Sequence, residues 1–413
     1  MSHLFRLRCP SCEREFAHQA VTLCPDCFYP TEIAYDYLAI RERLSQEAVE
    51  HRARDIWRYA ELLPVPNSAP RLAGVGWTPL IEAPRLGRRL GSGSLFIKDD
   101  AACFPTLSFK DRVVAVALAE ARALGFQVVG CASTGNLANA VAAHAARAGL
   151  EAWVLVPADL EPAKLLGTSV YGAHLVRVRA AYDQVNRLCV EIAERHGWGF
   201  VNVNLRPFYA EGSKTVAFEI AEQLGWRLPD NVVVPMAGGA QLTRIAKGFQ
   251  ELVTLGLVPA HPVRLFGAQA KGCSPIATAH QQGRDNVVPV VPDTICKSLA
   301  IGDPADGHAA LRAIARSGGG AASATDAEIV HGIRLLAATE GILGETAAGA
   351  TVAVAGQLLD AGAIAPGETT VVCVTGNGLK TLDCLEDAID LGTPLAPTLE
   401  AFEARWGGLA GAA

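Results

Sequence analysis

Aromatic side chains make up only 6% of this 413-residue chain and charged ones 19%. No apolar run reaches the roughly 18 residues that a membrane-spanning helix needs. The first dozen residues, Met1 to Cys12, lack the apolar core of a secretory signal, so none is expected. A net charge of −6 gives no general case for nucleic acid or an anionic membrane as partner. Half of the residues are hydrophobic, and Ala and Gly are abundant. That mix suits closely packed helices and sheets in an α/β enzyme rather than a disordered chain. The length predicts two or three domains. Eleven cysteines are an odd number, and four of them cluster, which favours a reducing, cytoplasmic setting over a disulfide framework.

Those four are Cys9, Cys12, Cys24 and Cys27, in two Cys-Pro-x-Cys turns. Paired C-x-x-C turns present four thiolates to one tetrahedral ion, the arrangement of a structural Zn²⁺ site; disulfides or free thiols are the alternatives. A small closed site leaves no vacant position for catalysis. Ribbons of this kind can bind nucleic acid, but few aromatic and basic residues alternate here, so a structural ribbon over 1–34 is expected. From Tyr35 to Leu63 the pattern is polar and helical (Glu42, Arg43, Glu47, Glu50, Arg52, Arg54), and the Asp and Arg residues of the stretch read as a solvated face. Residues 35–64 are thus a helical linker, and Pro64 to Pro70 is rich in turn formers. The remaining seven cysteines (Cys103, Cys131, Cys189, Cys273, Cys296, Cys373 and Cys384) fall mostly in apolar surroundings, as buried small hydrophobes do.

Beyond Gly76, short β-rich runs alternate with helical stretches. The expected strands are Leu95–Lys98, Val128–Cys131, Ala152–Val156, Leu175–Val178, Phe200–Val203, Val232–Val234, Val263–Gly267 and Val371–Val374. Such alternation predicts parallel sheets covered on both faces. In these sheets ligands bind where strand ends lead into helices. Four loops in that position carry chemistry. Ser108-Phe109-Lys110-Asp111-Arg112 puts a lysine at the first turn of a helix, where a second positive charge is disfavoured. A lysine that forms a Schiff base must be available as the free amine, which burial near other positive groups favours. Ala132-Ser133-Thr134-Gly135-Asn136 converges hydroxyls and N–H groups on one point, as a carboxylate or phosphate cradle requires. Gly238-Gly239-Ala240-Gln241-Leu242 lets the backbone wrap a phosphate at a helix start. Thr375-Gly376-Asn377-Gly378-Leu379-Lys380 offers one hydroxyl at a strand end. Taken singly, each also fits a plain capped helix or solvent-facing loop.

The ordered set, with Glu211-Gly212-Ser213-Lys214-Thr215 between the second and third loops, resembles the fold-type II enzymes of pyridoxal phosphate and, among them, threonine synthase. The resemblance runs over about residues 70–390, and some threonine synthases carry a similar N-terminal ribbon. It implies two α/β domains of the tryptophan synthase β-like kind: a large cofactor domain from 65–114 and 226–400, and a small substrate domain over 115–225. It implies that Lys110 carries the cofactor as a Schiff base and later acts as acid and base. Asn136 would bond the cofactor's phenolic oxygen, Gly238, Gly239, Ala240, Gln241 and Leu242 would cradle its phosphate, and Thr375 would face its pyridine nitrogen. A hydroxyl there cannot keep that nitrogen protonated as a carboxylate would, which suits elimination and replacement. Ser133, Thr134 and Gly135 would hold the substrate carboxylate. The implied reaction is O-phosphohomoserine and water to threonine and phosphate, in an enzyme expected to be a homodimer.

Two departures bear on the substrate. Where threonine synthases commonly read Arg-Leu-Glu-Gly, this chain reads Tyr209-Ala210-Glu211-Gly212. Where they commonly read Ile-Arg-Ile-Gly-Asn-Pro, it reads Leu299-Ala300-Ile301-Gly302-Asp303-Pro304. One cation is missing at each place, with Arg206 and Lys297 as the candidate substitutes. A related enzyme with another activated amino acid, such as cysteate synthase-like β-replacement on O-phosphoserine, is the alternative reading. A ribbon-based nucleic-acid binder and a non-catalytic sensor that keeps the cofactor are the other two function classes.

Overall fold

The computed structural model describes residues 4–133, 135–158, 162–179 and 182–406. Three small antiparallel strands open it: β1 (Phe5–Arg8), β2 (Glu15–Phe16) and β3 (Glu32–Tyr35), in the order β2–β1–β3. The two Cys-Pro-x-Cys turns between them repeat each other bond for bond. Cys9 N donates to Arg14 O and Cys24 N to Tyr29 O, both at 2.9 Å. Glu13 and Phe28, each just after its second cysteine, take the left-handed backbone conformation with φ of 62° and 57°.

The stretch from Tyr35 to Leu63 is not one helix. Its first residue ends β3, and three side chains then start three short helical segments. Asp36 accepts from Ala39 N, Ser45 from Ala48 N and Asp55 from Trp57 N, each taking an otherwise unpaired amide. Nor is its charge all solvated. Arg58 is buried, paired with Glu222 at 2.6 Å and packed 4.2 Å over the Trp77 ring.

Next come β4 (Leu80–Glu82), β5 (Leu95–Asp99), β6 (Val128–Ala132), β7 (Glu151–Pro157), β8 (His174–Val178), β9 (Gly199–Phe200), β10 (Asn231–Pro235), β11 (Arg264–Ala270), β12 (Gly320–Ala324) and β13 (Thr370–Val374). They form a six-stranded sheet, β12–β11–β10–β13–β5–β4, and a four-stranded one, β8–β7–β6–β9. All neighbours are parallel except the β4–β5 edge pair. In the larger sheet β13 is the joint, with Val371 opposite Val232 of β10 on one side and Phe96 of β5 on the other. Buried on both faces, β10 and β13 are continuous apolar runs rather than alternating ones. The strand expected over 200–203 stops at Phe200, because Asn204 Oδ1 accepts from Phe200 N at 2.7 Å and turns the chain away.

Helices cover both faces of the large sheet. Thr346–Asp360 is buried along most of its length, and Gly332 and Gly349 bring it into backbone contact with the Asp326–Glu340 helix. Among the described residues no helix is long and apolar enough to cross a membrane. Six of the seven cysteines outside the ribbon are buried, and Cys384 is half-buried.

Candidate active site

Lys110 opens the Lys110–Ala123 helix directly after β5 and its loop. The loop is fixed from below by Asp111, which is fully buried. Its carboxylate accepts from Thr106 Oγ1 at 2.8 Å and Thr106 N at 3.0 Å, and it faces His144 Nε2 at 3.2 Å. Arg112, equally buried, spans Asp100, Thr78 and Glu219. Neither is a surface ion pair; both hold the corner that presents Lys110. Burial alone would raise the Glu219 carboxyl, but the charges of Arg112 and then Lys98 outweigh it and bring it down to about 2.

The fourth loop docks on the first. Phe109 N donates to Thr375 O at 2.9 Å, and Ser108 and Gly376 form a bridge. Thr375, at the end of β13, is therefore held one residue from Lys110. Lys380 then reaches across to the second loop. Its ammonium donates to Leu107 O at 2.9 Å, Thr106 O at 3.1 Å and Asn136 Oδ1 at 2.6 Å. Asn136 Nδ2 in turn donates to Glu345 Oε2 at 2.8 Å. The amide of Asn136 is thus set by a cation on its oxygen and a carboxylate on its nitrogen, with one N–H left over. Burial pushes the Glu345 carboxyl up and the Lys380 ammonium down, each partly offset by the other's charge.

The third loop supplies the phosphate-type cradle. Gly239 has φ of 91°, and a Cβ there would stand 2.9 Å from Ala310 Cβ. Space beside Gly238 is open, and the Ala240–Leu255 helix that follows has no side-chain cap on its first turn. Gln241 Nε2 is buried and has no hydrogen-bond partner among the described residues. Free amides at a helix start beside an unpartnered donor fit an anionic group such as the phosphate of pyridoxal phosphate.

Ser133 is half-buried, Gly135 is exposed, and Thr134 lies outside the described residues. Arg206 begins the Arg206–Glu211 helix and pairs with Asp306 at 2.8 Å; Asp306 N donates to Gly238 O. Arg206 is therefore linked to the glycine loop, though its charge is already matched. Lys297 stands exposed in a 3₁₀ turn. On the same short helix as Arg206, Tyr209 Oη lies 3.1 Å from Lys110 Nζ.

Glu345 and Lys380 had no assigned role in the sequence reading, although Lys380 closes the fourth loop motif. Glu345 gave no signal, since a carboxylate before a helix of small residues reads as an ordinary cap.

Well away from these loops, the sulfurs of Cys9, Cys12, Cys24 and Cys27 all lie within 4.8 Å of one another. Four soft donors at that spacing fit a tetrahedral metal ion. The ribbon rests on the helices of the site. His18 bonds Glu120 of the Lys110 helix, and Thr22 Oγ1 donates to Val203 O at 2.7 Å.

Residues 72–376 match a family described as pyridoxal-phosphate dependent enzyme. Threonine synthase of Methanocaldococcus jannaschii is 37% identical over 379 residues, covering 91% of this chain and 93% of that one. Threonine synthase of Methanosarcina acetivorans is 34% identical over 402 residues, covering 97% and 98%. Among solved structures, maize serine racemase superposes with a TM-score of 0.63 at 19% identity, over 89% of this chain and 98% of that one. Threonine deaminase isoform 2 from Solanum lycopersicum gives 0.64 at 20%, over 79% and 91%.

Proposed function

This chain belongs to the threonine synthase family of pyridoxal-phosphate-dependent enzymes, and from that premise we propose that it makes threonine and phosphate from O-phosphohomoserine and water. The observation that carries the reading is the convergence of Lys110, Thr375 and Asn136 through Phe109 N and Lys380. Pyridoxal phosphate, when bound, supplies the electron sink that lets a proton leave the carbon bearing the amine. The protein's own residues do the rest. Lys110 Nζ would hold the cofactor through its carbonyl carbon, and the same amine would take and return protons on the substrate carbons. Asn136, aimed by Lys380 and Glu345, would offer its spare N–H to the cofactor's phenolic oxygen. The amides of Gly238 to Leu242, with Gln241 Nε2, would bind the phosphate, and Thr375 would face the ring nitrogen. Ser133, Thr134 and Gly135 hold the substrate carboxylate. Arg206 and Lys297 are the cations offered to the substrate phosphate, since a dianion in a closed site needs pairing. The small-sheet body closes over the substrate, and one Zn²⁺ holds the ribbon through Cys9, Cys12, Cys24 and Cys27.

A second reading has an observation of its own. Arg206 is already paired with Asp306, Lys297 is exposed, and Tyr209 stands where an arginine is common in threonine synthases. An activated amino acid whose leaving group sits on another carbon or carries less charge, as in a cysteate synthase-like β-replacement on O-phosphoserine or another activated amino acid, would not call on cations at these two positions. Holoenzyme given O-phosphohomoserine, with phosphate and threonine followed together, decides between them. Equal amounts of both products support threonine synthase. Absence of turnover, with a spectral change only on adding O-phosphoserine, overturns it in favour of the second reading.

A further inference from the structure

The contact between Lys110 and Tyr209 is built in by backbone packing. Among the described residues, Tyr209 Oη is the hydrogen-bond partner of Lys110 Nζ, at 3.1 Å. The two side chains come from different helices, so something must fix the gap. Gly212, directly after the Tyr209 helix, does so. A Cβ at that position would fall 2.7 Å from Val113 Cα and 2.8 Å from Arg112 O, so the chain after Tyr209 lies on the first turn of the Lys110 helix. Glu211 anchors the other side. Its fully buried carboxylate is held by Lys214 at 2.8 Å and Lys247 at 2.9 Å, with Arg244 nearby at 3.5 Å. The hydroxyl therefore faces Nζ by construction.

The chemistry of that hydroxyl differs from what its position usually holds. An arginine there is a donor only, and its charge would oppose a lysine ammonium. A phenol carries no charge and both donates and accepts. We propose that Tyr209 is a further catalytic residue, its hydroxyl sharing the proton that Lys110 Nζ takes from the α-carbon of the substrate. As the C–H bond breaks an N–H bond forms, and the electron pair stays with the substrate carbon and the cofactor joined to it. Oη accepts that N–H while Nζ is an ammonium. When Nζ returns its proton to a substrate carbon, Oη turns its own hydrogen toward the free amine. No proton is lost to solvent, and no further reactant is required. The inference rests on Lys110 acting as the acid and base of a pyridoxal-phosphate enzyme, and not on which amino acid is the substrate.

The test is Tyr209→Phe, which keeps the ring and removes only the hydroxyl. Apoprotein of each form is titrated with pyridoxal phosphate and followed by its visible band. The holoenzymes are then incubated in D₂O with O-phosphohomoserine, O-phosphoserine or L-threonine, and exchange of the α-hydrogen is read by NMR. That step precedes departure of any leaving group, so the substrate labelled fastest by the wild type serves. The expected result is cofactor binding within about twofold of wild type, KM little changed, and exchange and kcat both slower by about 30-fold or more, short of the about 100-fold at which full general acid–base effects begin because Lys110 itself remains. Tyr209→His, which restores a group able to carry a proton, should recover part of the loss. Exchange by Tyr209→Phe equal to wild type overturns the proposal. So does loss of the visible band with normal folding, because Tyr209 would then only shape the cofactor site. Failure to form threonine, with the exchange difference intact, removes the threonine synthase reading and leaves Tyr209 standing.

Discussion

Replacing Glu219 by glutamine should unsettle the corner that presents Lys110. Its carboxylate accepts from Trp77 N at 2.7 Å, Thr78 N at 3.2 Å, Lys98 Nζ at 2.7 Å and both terminal nitrogens of Arg112. Every neighbour is a donor, so an amide NH₂ would meet donors with a donor. The buried cluster of Lys98, Arg112, Asp100 and Glu219 is neutral as it stands, and Glu219→Gln leaves one positive charge without a counterion. A carboxyl held at about 2 against 4.5 favours the charged form by about 3 kcal/mol, at about 1.36 kcal/mol per pH unit. Breaking one partner of a buried pair costs about 3–5 kcal/mol, which agrees. Against a typical net stability of about 5–15 kcal/mol, that is a large loss. Because the folded value is depressed, the stabilisation is complete above pH 4.5 and is lost as pH falls toward 2. Urea unfolding of apoprotein at pH 7, followed by tryptophan fluorescence, should show Glu219→Gln weaker by about 3 kcal/mol. The gap should narrow below pH 4. It should also narrow at high pH, since Lys98, whose pKa burial lowers, can shed its proton and relieve the excess charge. A gap under 1 kcal/mol at pH 7 would refute the account of the cluster.

Three further outcomes are expected. Lys380→Met removes the donor that sets Asn136 and leaves Glu345 without its cation, so pyridoxal phosphate should bind about tenfold more weakly in a titration of the visible band. Gly239→Ala puts a side chain on a left-handed backbone, at a cost of about 1–2 kcal/mol, and presses on Ala310; equilibrium dialysis should show about tenfold weaker cofactor binding. Cys9→Ser should lower the metal content measured by mass spectrometry from one ion per chain and lower the melting temperature, because the ribbon's contacts at His18 and Thr22 depend on its shape.

The chemistry-bearing loops were legible in the sequence because each follows a strand whose composition announces it. Val232–Val234 is an unbroken β-branched run and Val371–Val374 departs from one only at Cys373, and the glycine and threonine loops stand just beyond them, as the lysine loop follows Leu95–Lys98. β12 was missed for the converse reason. Gly320-Ala-Ala-Ser-Ala324 contains neither branching nor alternation, and only its pairing with β11 makes it a strand. Arg58 was read with a solvated face because its partner Glu222 lies 164 residues away. Tyr209 was visible as a departure from the common pattern, but its direction was not. That depends on Gly212 meeting the Lys110 helix, a contact that no local spacing reports. Asn136 was legible as a loop residue, while the two groups that aim it, Glu345 and Lys380, come from the far end of the chain.

The position of β13 has a consequence for how the chain is made. Its two neighbours, β5 and β10, meet only through it, so the six-stranded sheet stays in two pieces until residue 374 has been synthesised. Until then both pieces carry a bare, apolar strand edge, the kind of surface that pairs with other chains. Thr375, the residue that ties the Lys110 loop to the rest of the site, arrives immediately afterwards. Sheet closure and completion of the candidate site's loops are therefore one late event, and ribosome-bound chains stopped before residue 370 should be protease-sensitive across both halves of the sheet.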